Sequence, residues 1–360
     1  MTRTYGCYCF AIPHKMLSRL AADSPQDQRD TANGHLRPSA KLRSLRYEAA
    51  PPAALASMAK TAKPKKARRQ VFDAGSGEDL PGRLVRGETG KASKDEAANQ
   101  AFENLGTALR FYREVFGRNS VDGRGMGIDA AVHFGANFRN AMWNGRQMIF
   151  GDGDDTIGGF TASLDIIAHE LSHGVTQHMI PKGLGVVRLP LKEREFKEQK
   201  YSLKGQGGAL NESFSDIVGS MVKQWHAGQA AKEADWLIGE RLLAPVLGRA
   251  IRSLKDPGNR KLTWHSDDQI KSMDAYAEDC DVHDASGIPN HAFYRAAIKM
   301  KGHSWEKAGP IWFDAYPKLS AKATFEQAAR ATIAAADARF GVDSSETKAV
   351  KAAWRDVKVI

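Results

Sequence analysis

The chain has 360 residues, of which 42% are hydrophobic, so it is long enough for two domains or one large one with a sizeable core. No apolar run reaches the ~18 residues that span a bilayer, the N-terminus lacks a signal-peptide layout, and three cysteines are too few for a disulfide framework. We expect no membrane partner, and a location in the cytoplasm or export without a classical signal peptide.

The net charge of +10 comes from one end of the chain. Residues 1–70 contain 14 Lys or Arg and 4 Asp or Glu, whereas the remaining residues contain 38 of each. In an enzyme that acts on nucleic acid, the basic surface is expected near the catalytic residues. Here the basic segment is far in sequence from the motifs that carry the chemistry. We expect no nucleic-acid partner, although a basic module that binds nucleic acid or membrane stays open as an alternative.

The N-terminal region combines a short amphipathic candidate helix, around residues 16–20, with a basic, Pro- and Ala-rich stretch. Six basic residues and no acidic one lie between Lys60 and Arg69. This composition favours a solvated linker that proteases reach easily. It fits either a disordered tail or a pro-segment with a processing linker, and we favour a propeptide over 1–50 and a linker over 51–70.

A more regular pattern begins at Val71. Apolar residues with helical spacing predict a helix from Asp95 to Phe116 that ends at Gly117. Residues 130–150 contain two strand-like runs around the turn-forming Asn144-Gly145, and an irregular loop follows at 151–155. This half of the chain therefore mixes strands and helices.

The second half is predicted to be mostly helical. Helical patterns cover 163–179 and 208–223, on either side of a charged insertion at 181–204. From Asp235 onward nearly the whole pattern is helical, with breaks near Pro257, Pro289 and Pro317. The pattern predicts an α+β protein with an N-terminal lobe over 71–207 and a helical C-terminal lobe over 208–360.

The stretch "AHELSHG" at residues 168–174 is the strongest chemical signal. His169 and His173 are four residues apart, so on a helix they share a face and can bind one zinc ion. A catalytic zinc needs a third protein ligand and an open position, over which Glu170 can act as a base. The motif alone is only moderately specific, because a solvated polar face has the same spacing.

The next predicted helix, "GGALNESFSDIVGS", supplies a candidate third ligand. Glu212 lies in an apolar frame, and Asp216 follows four residues later on the same face, where it can hydrogen-bond a ligand histidine and fix its tautomer. Alternatively, Glu212 binds no metal and only interacts favourably with the helix dipole near the N-terminus of its helix.

The sequences "AHELSHGVTQHM" and "GALNESFSDI" resemble the zinc core of the thermolysin family of neutral metalloendopeptidases. The likeness runs from about Val71 to the C-terminus, through "NAMWNGRQMIFGDGDD", "VHDASGIPNHAF" and "AGPIWFDAY". The start "CFAIPHKML" is similar to the protealysin-like branch, which has a short propeptide. The resemblance implies a thermolysin-like, two-lobed fold with a zinc cleft between the lobes.

The resemblance also implies a role for individual residues. The zinc ligands would be His169, His173 and Glu212, with Glu170 as general base for a metal-bound water. Asp216 would orient His169, and His283 would stabilise the oxyanion. The residues implied for substrate binding are Asn140 and Ala141 by strand-like pairing, Arg252 by its guanidinium, and Ile157, Phe160, Ile166, Ile238 and Ile251 as an apolar pocket.

These roles imply a zinc-dependent endopeptidase, made as a precursor, that cleaves peptides on the N-terminal side of bulky apolar residues. Its propeptide would inhibit it intramolecularly, either by occupying the cleft, which we favour, or through a thiol of Cys7 or Cys9 on zinc. A zinc aminopeptidase is a second enzymatic reading, but no feature that would bind a free amino terminus is visible.

Three positions depart from the family pattern. Leu203 falls where the family has a transition-state tyrosine, although Tyr201 is close by, so a catalytically weak or inactive thermolysin-fold binding protein stays an alternative. Lys223 and Leu237 replace two ligands of the family's double-calcium site, while Asp165, Asp235 and Glu240 match it. We expect no double-calcium site and leave a single calcium ion open.

Overall fold

The computed structural model describes residues 10–23, 67–180, 182–188, 190 and 201–360. Several features lie outside these residues: Cys7 and Cys9, the alternative thiol ligands, nearly all of the processing linker, half of the charged insertion and the side chain of Tyr201. Within the described residues, no helix has the length and apolar character that a membrane crossing requires.

The N-terminal half is built on a five-stranded mixed sheet in the order β2-β1-β3-β5-β4. Strands β1 and β3 run parallel, as do β3 and β5, while β2 and β4 pair antiparallel at the two edges. The strands are β1 (Arg69–Asp73), β2 (Arg83–Gly87), β3 (Ile128–Val132), β4 (Ala141–Trp143) and β5 (Met148–Phe150). The antiparallel β4–β5 pair around Asn144-Gly145 confirms the predicted hairpin. Strand β4 is an edge of the sheet, so its outer main-chain groups can pair with a peptide.

Helix α2 (Glu96–Phe116) packs against this sheet. Asp95 caps its N-terminus by accepting hydrogen bonds from the amides of Ala97 and Ala98. Gly117 ends it with φ of 63°, a left-handed conformation that glycine adopts without strain. Both ends agree with the prediction from sequence.

Two buried helices form the centre of the molecule and pack against each other. They are α3 (Leu164–Met179), which carries the two histidines, and α4 (Gly205–Ala227), which carries Glu212 and Asp216. Between them lies a short hairpin of β6 (Val186–Arg188) and β7 (Tyr201–Leu203). The predicted lobe boundary at 207/208 falls inside α4, and the domain ranges stay predictions.

The prediction that nearly all of the chain after Asp235 is helical is wrong for residues 235–281. Residues 235–281 contain only the two-residue strands β8 (Leu237–Ile238) and β9 (Arg252–Ser253), a 3-10 turn at Met273–Ala275 and irregular chain. Side chains hold this region instead of a helical ladder: Asp165 Oδ2 accepts from the amide of Gly239 at 2.9 Å. Tertiary hydrogen bonds of this kind override a weak local pattern.

Helices resume after residue 281 and build the C-terminal half. They are α5 (Val282–Ala285), α6 (Gly287–Met300), α7 (Ala308–Ala315), α8 (Phe325–Phe340) and α9 (Ser345–Asp356). The predicted break near Pro289 is present between α5 and α6, at Ser286, and Pro289 lies in the first turn of α6, where a missing amide costs no hydrogen bond. Pro317 does mark a break, in a 3-10 turn after α7.

The described part of the N-terminal segment is folded against the rest of the chain. Helix α1 (His14–Asp23) forms where the amphipathic pattern predicted it. Phe10, Ala11 and Ile12, which precede it, are buried. The segment therefore packs as a part of the fold.

Candidate metal and substrate site

Helix α3 brings the two motif histidines onto one buried face. Their Nε2 atoms lie 3.1 Å apart, and neither side chain is exposed to solvent. Donor atoms of a tetrahedral zinc site, each about 2.0–2.1 Å from the ion, lie about 3.3 Å from one another. The spacing of the two nitrogens therefore fits a shared metal ion.

Glu212 on α4 faces the same point. Its Oε2 lies 3.6 Å from His169 Nε2, and its Oε1 lies 3.5 Å from His173 Nε2. Both oxygens are buried, and neither accepts a hydrogen bond within the described part of the chain. A buried carboxylate without donors is costly unless a cation compensates it, which is what a bound metal would do.

Glu170 also lies beside the histidines but has a different environment. His169, Glu170 and His173 form a group whose possible ligand atoms are all within 4.8 Å of one another. Glu170 Oε2, however, accepts the amide of Trp143 on edge strand β4 at 2.8 Å. This bond fixes Glu170 between the histidines and the strand, whereas Glu212 has its oxygens free of donors.

Asp216, one turn after Glu212, supports His169 from behind. Its Oδ1 lies 2.9 Å from His169 Nδ1, as the i, i+4 spacing predicted. Burial alone would raise the pKa of Asp216, but the Arg252 guanidinium and His169 outweigh it and lower the pKa to about 2. Burial alone would lower the pKa of His169, but Asp216 and Glu212 raise it to about 10. The carboxylates thus create a field that favours positive charge at the histidines.

Three further side chains hold this arrangement, and they were not among the predicted site residues. Asn290 on α6 donates to Asp216 Oδ2 at 2.9 Å. Behind His173, Nδ1 lies 3.3 Å from Asn211 Oδ1 and 3.2 Å from Ser215 Oγ. Asn211 and Ser215 are four residues apart on α4, so the helical spacing that identified Asp216 was the available signal for them.

His283 lies at the same site, as the resemblance implied. Its Nε2 is 3.3 Å from Glu212 Oε2, and its Nδ1 is 2.9 Å from Asp281 Oδ1. Burial would lower the pKa of His283, but Glu212 and Asp281 raise it to about 9, so the ring is a hydrogen-bond donor on both nitrogens near neutral pH. Asp281 was missed, although an acidic residue two positions before the histidine was the signal.

Leu203 has no polar role in the structure. It is buried in a small apolar cluster with Val282, next to His283, and with Val186 of the facing strand. Position 203 therefore contributes an apolar side chain, as the sequence indicated.

The five residues predicted to line an apolar pocket are all buried in one continuous core. Ile238 and Ile251 come together through the β8–β9 pair, in which the Ile251 amide donates to the Ile238 carbonyl at 3.0 Å. The other three are Ile157, Phe160 and Ile166.

The N-terminal segment lies along the predicted substrate-binding residues. The Ala11 amide donates to the Ala141 carbonyl at 3.1 Å, beside edge strand β4. Asn140 binds both main-chain groups of Ile12: its Oδ1 accepts the amide at 2.9 Å, and its Nδ2 donates to the carbonyl at 3.0 Å. Arg252 donates to the Ala11 carbonyl at 3.4 Å. Asn140, Ala141 and Arg252 thus hold a peptide backbone in this structure.

Lys223 lies where the resemblance places a calcium ligand. Its Nζ is 2.8 Å from Asp235 Oδ1, donates to the Leu237 carbonyl at 2.8 Å and lies 3.9 Å from Asp165 Oδ2. Glu240, a third matching position, is paired with Arg249 at 2.8 Å. Side-chain cations therefore face each of these carboxylates.

Two family models match the chain. The one described as "Thermolysin metallopeptidase, catalytic domain" matches residues 53–177, and the one described as "Thermolysin metallopeptidase, alpha-helical domain" matches residues 200–359. The chain belongs to the thermolysin family of metallopeptidases. This membership confirms the predicted α+β, two-lobed fold and the class of enzyme, a metalloendopeptidase.

Relatives of similar length agree with this result. The chain is 39% identical to an "Extracellular metalloprotease" of Pectobacterium carotovorum subsp. carotovorum, over 98% of this chain and 96% of the relative. It is 40% identical to "Protease PrtS" of Photorhabdus sp. (strain Az29), over 81% of this chain and 76% of the relative.

A solved structure extends the similarity to the N-terminal segment. The chain superposes on the precursor of protealysin, a metalloproteinase from Serratia proteamaculans, with a TM-score of 0.80 and 37% identity. The match covers 98% of this chain and 100% of that one. Similarity to a precursor over the full length confirms the interpretation of the chain as a zymogen with a propeptide.

Proposed function

We propose that this thermolysin-family chain is the precursor of a zinc endopeptidase whose metal is held by His169, His173 and Glu212. The observation that carries the proposal is the convergence of these three buried side chains, from two helices, on one point. When bound there, zinc supplies a Lewis acid that makes water nucleophilic near neutral pH.

The two glutamates at the site are suited to different roles. Glu212 has two buried oxygens that accept no hydrogen bond from the described residues, so it suits a ligand. Glu170 is held by the Trp143 amide at 2.8 Å, between the histidines and the strand that binds peptide. We assign Glu170 as the general base, because it lies where it can take a proton from the attacking water.

Two cationic side chains can stabilise negative charge on the substrate. Asp281 Oδ1 lies 2.9 Å from His283 Nδ1 and orients the ring, so its Nε2 faces the site and can donate to an oxyanion. Arg252 is fixed by Asp216, from Nη2 to Oδ1 at 2.8 Å, and still reaches a peptide carbonyl. A donor that is oriented beforehand stabilises the developing oxyanion without reorganisation.

The apolar pocket lies beside the residues that hold the peptide. Ile251 precedes Arg252 and pairs with Ile238, so the pocket wall and the carbonyl-binding guanidinium belong to adjacent positions of one strand pair. We propose that the pocket accepts a bulky apolar side chain directly after the cleaved bond. In the precursor, Ala11 is buried in the same core as these five residues.

The propeptide inhibits by occupation of the cleft. Its backbone takes the hydrogen bonds of Asn140, Ala141 and Arg252 that a substrate needs, so both cannot bind at once. The alternative in which Cys7 or Cys9 binds zinc concerns residues outside the described ones. Replacement of both by Ser separates the two mechanisms, since occupation alone predicts unchanged latency.

We further propose that the enzyme acts after export, in keeping with the extracellular relative, and that a calcium ion at the Lys223 position is not needed. The missing hydroxyl at Leu203 supports one variant of the function, an enzyme of low turnover that relies on His283 and Arg252 alone.

The proposal is tested by casein cleavage with purified protein before and after limited processing. Activity that appears on processing, disappears with a zinc chelator and is absent in Glu170→Ala is the expected result. Peptides with a blocked amino terminus distinguish an aminopeptidase, which cannot cut them. Bound zinc with no cleavage under any condition would contradict the catalytic assignment.

A further inference from the structure

Two carboxylates at the rim of the cleft bind a lysine of the propeptide. Lys15 Nζ lies 2.6 Å from Asp268 Oδ2 and 2.7 Å from Asp284 Oδ2. Arg19, one turn later on α1, adds a contact of 2.7 Å to Asp268 Oδ2 and donates to the Ser266 carbonyl at 3.0 Å. We call Asp268 and Asp284 the acidic pair.

The acidic pair is continuous with the peptide-binding part of the cleft. Lys15 follows Ile12, the residue held on both sides by Asn140, by only three positions. A cavity lies between the propeptide and the cleft wall here, and its lining includes Arg252 and His283 together with both carboxylates of the pair. A peptide bound at Asn140 and Arg252 therefore runs toward the acidic pair.

Departure of the propeptide removes the main positive charge from these carboxylates. Asp284 is partly buried, which raises its pKa, and Lys15 is the cation that pairs with it among the described residues. Asp268 keeps Arg260, whose side chain is 58% exposed. A partly buried carboxylate that has lost its cation partner is stabilised strongly when a new cation binds to it.

We propose that in the processed enzyme the acidic pair is a subsite for a Lys or Arg side chain of the substrate, downstream of the cleaved bond. This assignment rests on the proposed endopeptidase function. Counting from the residue that replaces Ala11 as the first after the bond, Lys15 is the fifth. The chain begins a helical turn at Pro13, where the Met16 amide donates to the Pro13 carbonyl at 3.0 Å. An extended substrate covers the same path with fewer residues, so the third to fifth positions can reach the pair.

The test uses the processed protein and blocked, internally quenched peptides that share one sequence. The third, fourth and fifth positions after the cleaved bond are Ala in the reference, and Lys or Glu is placed at each in turn. At low ionic strength, kcat/KM at the best Lys position is expected to exceed the Ala reference by about threefold or more, and Glu to fall below it. High salt should reduce both differences.

The variants are Asp268→Asn, Asp284→Asn and their combination. For each variant, kcat/KM on the Lys peptide is divided by kcat/KM on the Ala peptide. The ratio cancels any loss of folded enzyme, and it is expected to approach one in the double variant. Asp314→Asn is the matched control, since Asp314 pairs with Arg339 in the helical half, and it should keep the wild-type ratio.

Each outcome has a distinct meaning. Equal cleavage of the Lys, Ala and Glu peptides by the wild type would overturn the subsite and leave the endopeptidase function standing. A Lys preference that persists in the double variant would overturn its assignment to the acidic pair. If no blocked peptide is cut after processing, the proposed function fails, and the subsite fails with it.

Discussion

Asp216 bridges His169 and Arg252: its Oδ1 lies 2.9 Å from the histidine Nδ1 and accepts from the arginine Nη2 at 2.8 Å. One carboxylate thus orients a proposed zinc ligand and a proposed substrate-binding cation together. Asp216→Asn keeps the shape but removes the charge, and it should lower zinc affinity about 10–100-fold. Zinc retained against a graded chelator, measured beside kcat/KM, checks this. Unchanged metal retention would contradict the orienting role, and Asp314→Asn serves as control.

Leu203 places an apolar side chain against Val282, the residue that precedes His283. Leu203→Tyr should raise kcat relative to Leu203→Phe, because the two variants differ by one donor, and a well-placed donor contributes about 2.7–4 kcal/mol to a transition state. Casein or peptide kinetics on both variants check this. Equal kcat for Tyr and Phe would mean that a side chain at this position does not reach the substrate, and that the low-turnover variant of the function has another cause.

The propeptide is held partly by ion pairs at the acidic pair. Lys15→Ala with Arg19→Ala should increase the activity of unprocessed protein several-fold, since the three partly exposed ion pairs contribute about 1 kcal/mol each at most. Arg330→Ala is a suitable control, because Arg330 forms an exposed helical pair with Glu326 far along the chain. Peptide cleavage by the uncut precursor at two salt concentrations is the measurement. If neither the Lys15→Ala, Arg19→Ala variant nor a change of salt alters the activity of the precursor, the backbone hydrogen bonds alone account for the inhibition.

The sequence was sufficient for the residues whose relation is local. The i, i+4 spacing placed His169 with His173, and Glu212 with Asp216, because both pairs lie on regular buried helices. His283 and Arg252 were identified only through the family resemblance, since they lie on the one-turn helix α5 and the two-residue strand β9, far from the motif in sequence. Asn290 was not identified at all, because its contact with Asp216 depends on how two helices pack.

Local pattern failed most clearly between Asp235 and Asp281. The apolar residues there predicted helices, but the chain is held by tertiary hydrogen bonds from α3 and α4, such as Asp165 to the Gly239 amide and Lys223 to the Leu237 carbonyl. No periodicity within the segment encodes these distant partners. The site is therefore more predictable from sequence than the loop that completes its pocket.

Lys223 supplies a positive charge among Asp165, Asp235 and the Leu237 carbonyl. Lys223→Met keeps the aliphatic stem but leaves the buried Asp165 and its neighbours without this cation, so it should destabilise the protein by about 1–3 kcal/mol. Thermal unfolding measures this, with Lys301→Met as an exposed control. Wild-type unfolding should be insensitive to a calcium-selective chelator. A marked loss of stability with that chelator would show a calcium requirement and contradict the proposal.

His133 links the start of α2 to the loop after β5. Its Nε2 lies 2.7 Å from Asp95 Oδ2 and its Nδ1 lies 2.7 Å from Asp152 Oδ1. Burial would lower the pKa of His133, but the two carboxylates outweigh it and raise the pKa above the usual 6.5. A histidine whose pKa is higher in the folded than in the unfolded state stabilises the fold. Its contribution is fully present at a pH below the unfolded-state pKa, and it is lost as the pH rises through the folded-state pKa.

His133→Gln should therefore cost the most stability at pH 5.5–6, with a difference of about 0.5–1 kcal/mol because the groups are partly exposed. The difference should shrink as the pH rises from there through the raised folded-state pKa of His133, where the wild-type ring loses its charge. Denaturant unfolding of both proteins across this range checks the sign, and His303→Gln, at an exposed pair with Glu306, is the control. A difference that grows with pH would mean that the neutral ring, and not the ion pair with Asp95 and Asp152, stabilises the loop.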